Sequence, residues 1–238
     1  MKLRSHGHSD IGCVRSENED SFLCNDTLRL YAVADGIGGL PAGAQASQQT
    51  LFTLEKLFRA AGADTAHLDY AHVLTEVNRM VFELGHRISP RFGIGSTLTF
   101  AHLGTDRLFI GHVGDSTALR LRDGALEQLT SDHTVENEMR ERTARGESLS
   151  TLLENRNALT RCIGQPPPLT GQCVSYPVRV NDRYLLVSDG ISRFLAPAEI
   201  KKILSEAAHP EMVAHQLINF ANERGGLDNS TAVVIFLE

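Results

Sequence analysis

Four aspartates stand where apolar runs end or begin. Asp35 closes YAVAD, Asp115 closes FIGHVGD, Asp189 closes YLLVSD, and Asp228 opens the last run in GLDNSTAVVI. Glu19 and Asp20 add an acidic pair in RSENED, just ahead of another run. A single Asp beside Gly is an ordinary turn. Carboxylates at the ends of several neighbouring strands would instead meet at one edge of a core, where their repulsion costs free energy unless protons or cations offset it. An all-oxygen donor set favours hard ions, Mg²⁺ or Mn²⁺ ahead of Ca²⁺ at a catalytic site. The glycines of DGIGGLPAG raise a second reading, a phosphate cradle. No Gly-Lys-[Ser/Thr] follows them, and Pro41 falls where the third glycine of a dinucleotide motif would stand. Gly36 fits better as a place where a backbone carbonyl approaches an ion beside Asp35.

These side chains need strands to carry them. A first strand fits Leu3 to Cys13. DSFLCN and LRLYAVAD form a hairpin turning at Asp26 and Thr27, and the second arm, apolar on both parities, reads as central. Strand patterns recur at Ser96–Leu103, Arg107–Val113, Thr117–Arg122 and Leu126–Thr130, then at CVSYPVRV, RYLLVSD and STAVVIFLE. Their meander-like spacing argues for antiparallel pairing, with RDG at Arg122 to Gly124 as a hairpin turn. Amphipathic helices fit Ala42–Ala61, with Pro41 in the first turn, and Ala66–Ile88, with Val73, Val77, Met80, Val81 and Leu84 on one face. Two more fit Ala196–Ala207 and Pro210–Arg224. Ser131–Asn157 is polar and charged, and reads as a mobile surface insertion with room for a short helix. The series suggests an α+β organisation, which two packed antiparallel sheets with helix pairs outside would satisfy.

Composition narrows the function. The chain has 238 residues, ordinary globular proportions and a formal charge of −6, which disfavours a general nucleic-acid binder. No apolar run is long enough to span a bilayer, and MKLRSHGHSD has no signal-like apolar region, so a cytoplasmic protein is expected. Cys13, Cys24, Cys162 and Cys173 form no Cys-x-x-Cys pair and are expected reduced and mostly packed. His112 is expected packed at a strand and His133 on a surface loop. His6 and His8 of HGH suit an ordinary strand face better than a metal site.

VRSENEDSF, VADGIGG, GHVGDS, LLVSDG and DNSTAVVI together, in order and spacing, resemble the protein phosphatase 2C family of metal-dependent serine/threonine phosphatases. The resemblance runs from about Gly7 to the C-terminus and is most similar to the compact bacterial members. It implies a single catalytic domain over residues 1–238, folded as a four-layer α-β-β-α sandwich, with 131–157 as a flap. It implies two Mn²⁺ or Mg²⁺ ions in a cleft at one sandwich edge, activating water for hydrolysis of phosphoserine and phosphothreonine. Asp35 would bridge the ions, the Gly36 carbonyl would bind one, and Asp189 and Asp228 would hold the other. Glu19 and Asp20 would act from the rim through metal-bound water, with Glu19 and Asn229 supporting the ligands. Asp115 matches a third, weaker site to which Asp132 could contribute. Arg15 matches the substrate-phosphate arginine. Ile37 stands where many members carry the histidine proposed to protonate the leaving alkoxide. The expected partners are phosphoproteins and a serine/threonine kinase, for a monomer that binds neither nucleic acid nor membrane. The rivals are a pseudophosphatase binding module, a hydrolase of small phosphoesters, and a calcium-stabilised structural domain, for which no EF-hand loop is present.

Overall fold

The computed structural model describes residues 2–62, 68–147 and 155–238. Ten strands form two antiparallel sheets. One has the order β1 (Leu3–Asp10), β10 (Ser230–Leu237), β9 (Arg183–Val187), β6 (Thr117–Arg122) and β7 (Ala125–Gln128). The other runs β2 (Asp20–Asn25), β3 (Leu30–Asp35), β4 (Leu98–Leu103), β5 (Arg107–Val113) and β8 (Gln172–Pro177). Helices α1 (Gly43–Ala61) and α2 (Tyr70–Ile88) cover the second sheet, and α5 (Pro197–Glu206) and α6 (Pro210–Glu223) cover the first. Two short helices, α3 (Val135–Ala144) and α4 (Asp189–Ser192), complete the α-β-β-α sandwich.

The apolar pattern explains the layering. In β3, Tyr31 and Val33 face the core between the sheets, while Leu30, Ala32 and Ala34 face the α1/α2 layer. β10 does the same, sending Val233, Ile235 and Leu237 inward and Ala232, Val234 and Phe236 toward α5 and α6. Strands buried on both faces must be apolar on both parities, and these two sit inside their sheets. Pro197 and Pro210 open α5 and α6, where a missing N–H costs nothing. The Asp69 carboxylate caps α2 by accepting from the amides of Ala71 and His72.

Several expectations need correction. The first strand stops at Asp10, three residues before Cys13, and Pro41 lies in the turn ahead of α1, which begins at Gly43. The second helix begins at Tyr70, and the expected start at Ala66 lies outside the described residues; Met80 is only half-buried on it. Asp189 opens α4 rather than ending a strand, and Asp228 precedes β10 by two residues. The stretch expected to be a mobile insertion does hold the short helix it had room for, α3, but that helix is capped by Thr134 and pinned by a bridge from Thr134 to Leu159; residues 148–154 lie outside the described set. His133 is buried, not on the surface. It accepts from the Gly114 amide (3.1 Å) and stacks on His112 with centroids 4.9 Å apart. Cys13 and Cys173 are exposed, and Cys24 and Cys162 half-buried, so the thiols are less packed than expected.

Candidate active site: an acidic cleft at the sandwich edge

Both sheets send carboxylates to one edge. Asp20 begins β2 and Asp35 ends β3, and the two are paired across the hairpin. Asp189 follows β9 and Asp228 precedes β10, two strands paired in the other sheet. Asp115 sits in the turn that carries the chain from β5 in one sheet to β6 in the other. Together with Arg15, Glu19, Gly36, Ile37, Asn157, Arg193 and Asn229, four of these aspartates line a cavity of about 190 Å³. Asp20, 7% exposed, is not among the lining residues and lies deeper than the rim position expected for it.

Burial shapes the charges. The Asp35 carboxyl is pushed well above the ordinary range, first by burial and then by Asp20, Asp189, Asp115 and Asp228. Burial lifts Asp20 to about 7, against hydrogen bonds from Thr231 and Ser188, and lifts Asp189 to about 6. Asp115 and Asp132 are also raised, chiefly by burial. Hydrogen bonds keep the acids in place. One Asp20 oxygen accepts from the hydroxyls of Ser188 and Thr231, both at 2.7 Å. The Asp35 amide donates to Thr97 Oγ1 (3.0 Å), which in turn meets Ser116. The Asn229 side chain accepts from the Glu19 amide and donates to the carbonyls of Ile11 and Glu17, tying the acidic loop to the start of β10.

The donors fit a divalent cation site. The other Asp20 oxygen, Oδ1, is buried with no hydrogen-bond partner, which is costly for a carboxylate without a cation. At Gly36 an added Cβ would run into the Gly43 carbonyl and come within 2.8 Å of the Glu19 carbonyl, so only glycine lets the chain pass beside Asp35 there. The Glu19 carboxylate lies against Gly43 at the start of α1, where an added Cβ would run into its Oε1, and it also edges the cleft.

Two arginines flank the acids. Arg15 Nη2 donates to Asp228 Oδ2 at 2.8 Å. Arg193, which the sequence reading passed over, reaches Asp115 Oδ2 at 2.6 Å and Asp189 Oδ2 at 3.1 Å. It follows Asp189 by four residues, a spacing that brings the two together once α4 forms. Asp132 lies on the wall of an adjoining cavity of about 450 Å³ that also touches Asp115, Arg193, Thr134 and Glu136. Ile37 lines the cleft and packs against Gly95.

The profile of protein phosphatase 2C matches residues 3–230. The chain belongs to the protein phosphatase 2C family. It is 36% identical over 242 residues to the serine/threonine protein phosphatase PstP of Mycobacterium tuberculosis H37Rv, covering 98% of this chain and 45% of PstP. The chain thus spans about half the length of that relative. Protein phosphatase PhpP of Streptococcus pneumoniae D39 is 28% identical over 233 residues, covering 95% of this chain and 94% of PhpP. The crystal structure of the catalytic domain of serine/threonine protein phosphatase PstP in complex with two manganese ions superposes with a TM-score of 0.82 at 32% identity, covering 99% of this chain and 98% of that one. The chain has the layered α-β-β-α sandwich that the family resemblance implied.

Proposed function

We propose that this protein is a Mn²⁺- or Mg²⁺-dependent serine/threonine protein phosphatase, a single cytoplasmic catalytic domain acting as a monomer opposite a serine/threonine kinase. The observation that carries the reading is the convergence of Asp20, Asp35, Asp189 and Asp228 from both sheets on one small polar cleft with Arg15 at its mouth. Asp35 and the Gly36 carbonyl, with Asp20, Asp189 and Asp228, would hold two ions, and Asp115 would border a third, weaker position. When bound, the ions supply charge stabilisation to the transferring phosphoryl group and lower the pKa of water to near neutral.

The chain's own residues do the positioning. Arg15, two-fifths exposed, presents a planar guanidinium suited to two phosphate oxygens at once. Asn229 and Thr97 fix the loops that aim Glu19 and Asp35. Ile37 lines the cleft but carries no transferable proton, so it cannot protonate the leaving alkoxide. The cavity lined by Asp132, Glu136 and Arg193 adjoins the cleft and gives room for polypeptide flanking the phosphoresidue. PstP and PhpP, both named as protein phosphatases, support a phosphoprotein substrate over a small phosphoester. A pseudophosphatase would be expected to lack part of this set, and Arg15 and the four aspartates are all present.

The test is phosphate release from a phosphothreonine peptide with Mn²⁺, Mg²⁺ or EDTA. Wild type should turn over only with metal, and Asp35→Asn should lose about a hundredfold or more in kcat, as loss of a main electrostatic element does. Turnover that survives EDTA or the substitution would overturn the two-metal reading.

A further inference from the structure

The face that β1 turns toward α6 is unlike its neighbours. Its even residues, Arg4, His6, His8 and Asp10, are paired with Phe236, Val234, Ala232 and Ser230 of β10. Phe236, Val234 and Ala232 bury apolar side chains under the helix layer. β1 instead presents a polar seam to α6. Arg4 meets His209 at 2.7 Å, and Asp10 accepts from Asn222 at 3.0 Å. Between them, His6 meets Glu211 and His215, one helical turn apart on α6. One ligand atom from each of the three lies within 4.8 Å of the others. The His8 ring packs against the same His215 ring, with centroids 4.1 Å apart.

We propose that His6, Glu211 and His215 form a second metal site, for Zn²⁺ or a similar borderline transition ion, separate from the acidic cleft. Two imidazoles and one carboxylate are a zinc-type donor set, which leaves a fourth position for water. It is the opposite of the all-oxygen cleft, which suits hard ions, so the two sites sort metals by ligand chemistry. Donors on a tetrahedral zinc lie about 3.3 Å apart, given bond lengths of about 2.0–2.1 Å. Glu211 and His215 are exposed and His6 is half-buried, so side-chain rotation alone can close the remaining gap. The ion clamps α6 to the edge strand.

The experiment is zinc titration by calorimetry, with the Co²⁺ visible spectrum as a second readout, on tag-free full-length protein. It is run in the Asp35→Asn background to weaken the cleft. One zinc equivalent should be removed by His215→Ala, and His6→Ala should weaken it roughly tenfold or more, since even outer partners of a ligating histidine are worth about that much. Co²⁺ should give intense tetrahedral bands that His215→Ala abolishes. Mn²⁺-dependent turnover of otherwise wild-type His215→Ala should stay unchanged, which separates this site from the catalytic reading. Zinc stoichiometry and Co²⁺ bands that are the same with and without His215→Ala would overturn the proposal. His215 is exposed, so the variant should fold, and its melting temperature in EDTA checks that.

Discussion

Arg193 is the residue on which the balance of the cleft turns. Among the described residues, its guanidinium is the one cation in direct contact with two of the clustered acids, Asp115 and Asp189. Asp115 is nearly buried, so a neutral residue at 193 would leave its carboxylate without a charged partner. Arg193→Ala should therefore destabilise the metal-free protein by about 1–2 kcal/mol, less than a fully buried pair because Arg193 is 41% exposed. The same loss makes the cleft more negative, so added Mn²⁺ should raise the melting temperature further in the variant than in wild type. Thermal melts with EDTA and with Mn²⁺ check both signs, and an equal metal-induced shift would show that Arg193 does not counterbalance the acids. The aspartates were legible in the sequence because each sits at the end of an apolar run. Arg193 was not, because a lone arginine after Asp-Gly looks like any surface charge until the fold brings Asp115 beside it. His133 was hidden for the same reason, since its stacking on His112 joins residues of different segments.

At the scale of elements, strands and helices with an apolar face were readable and α3 was only glimpsed. VENEMRERTA is polar on every side, and only Asn137 is buried, so no periodic stripe marks a helix. What holds it is polar: the Thr134 cap, Asn137 donating to Ser131 and to the Asp132 carbonyl, and the Val135 and Glu136 amides donating to the carbonyls of Ala158 and Arg156. The β3–α1 junction is the reverse case, where a short sequence signal had a definite steric cause. Gly36 passes against the backbone of Gly43 and Glu19, and backbone cannot move aside as a side-chain tip can. Gly36→Ala should cost about 1–3 kcal/mol from overpacking and pull Asp35 and Glu19 out of register. Urea unfolding should show the loss at unchanged m-value, and activity should fall by more than stability alone explains. A variant with wild-type stability and turnover would mean that the junction yields and that the glycine is not required there.

The sandwich as a whole buries histidines as well as acids, and this sets its response to pH. His102 lies among Phe58, Tyr70 and Phe109, with its Nδ1 2.8 Å from the Tyr70 hydroxyl. Burial first, and then Arg29, bring it down from 6.5 to about 4. Burial likewise lowers His112 to about 3. A histidine depressed in the folded state is protonated first in the unfolded chain. Its contribution is therefore whole above pH 6.5 and is lost as pH falls toward 4. The raised carboxylates of the cleft act with the opposite sign: Asp20, raised to about 7, favours the fold at low pH and withdraws that support as pH rises. A single melting curve against pH mixes the two. The difference between wild type and His102→Asn does not, because the carboxylates are common to both. Asn keeps a polar group near the Tyr70 hydroxyl but cannot be protonated. It should lower stability at pH 7.5 by removing ring packing, and the gap to wild type should narrow as pH drops from 6.5 to 4.5. Urea unfolding in EDTA across that range measures the gap. A gap that stays constant would show that His102 takes up its proton as readily in the folded sandwich as in the unfolded chain.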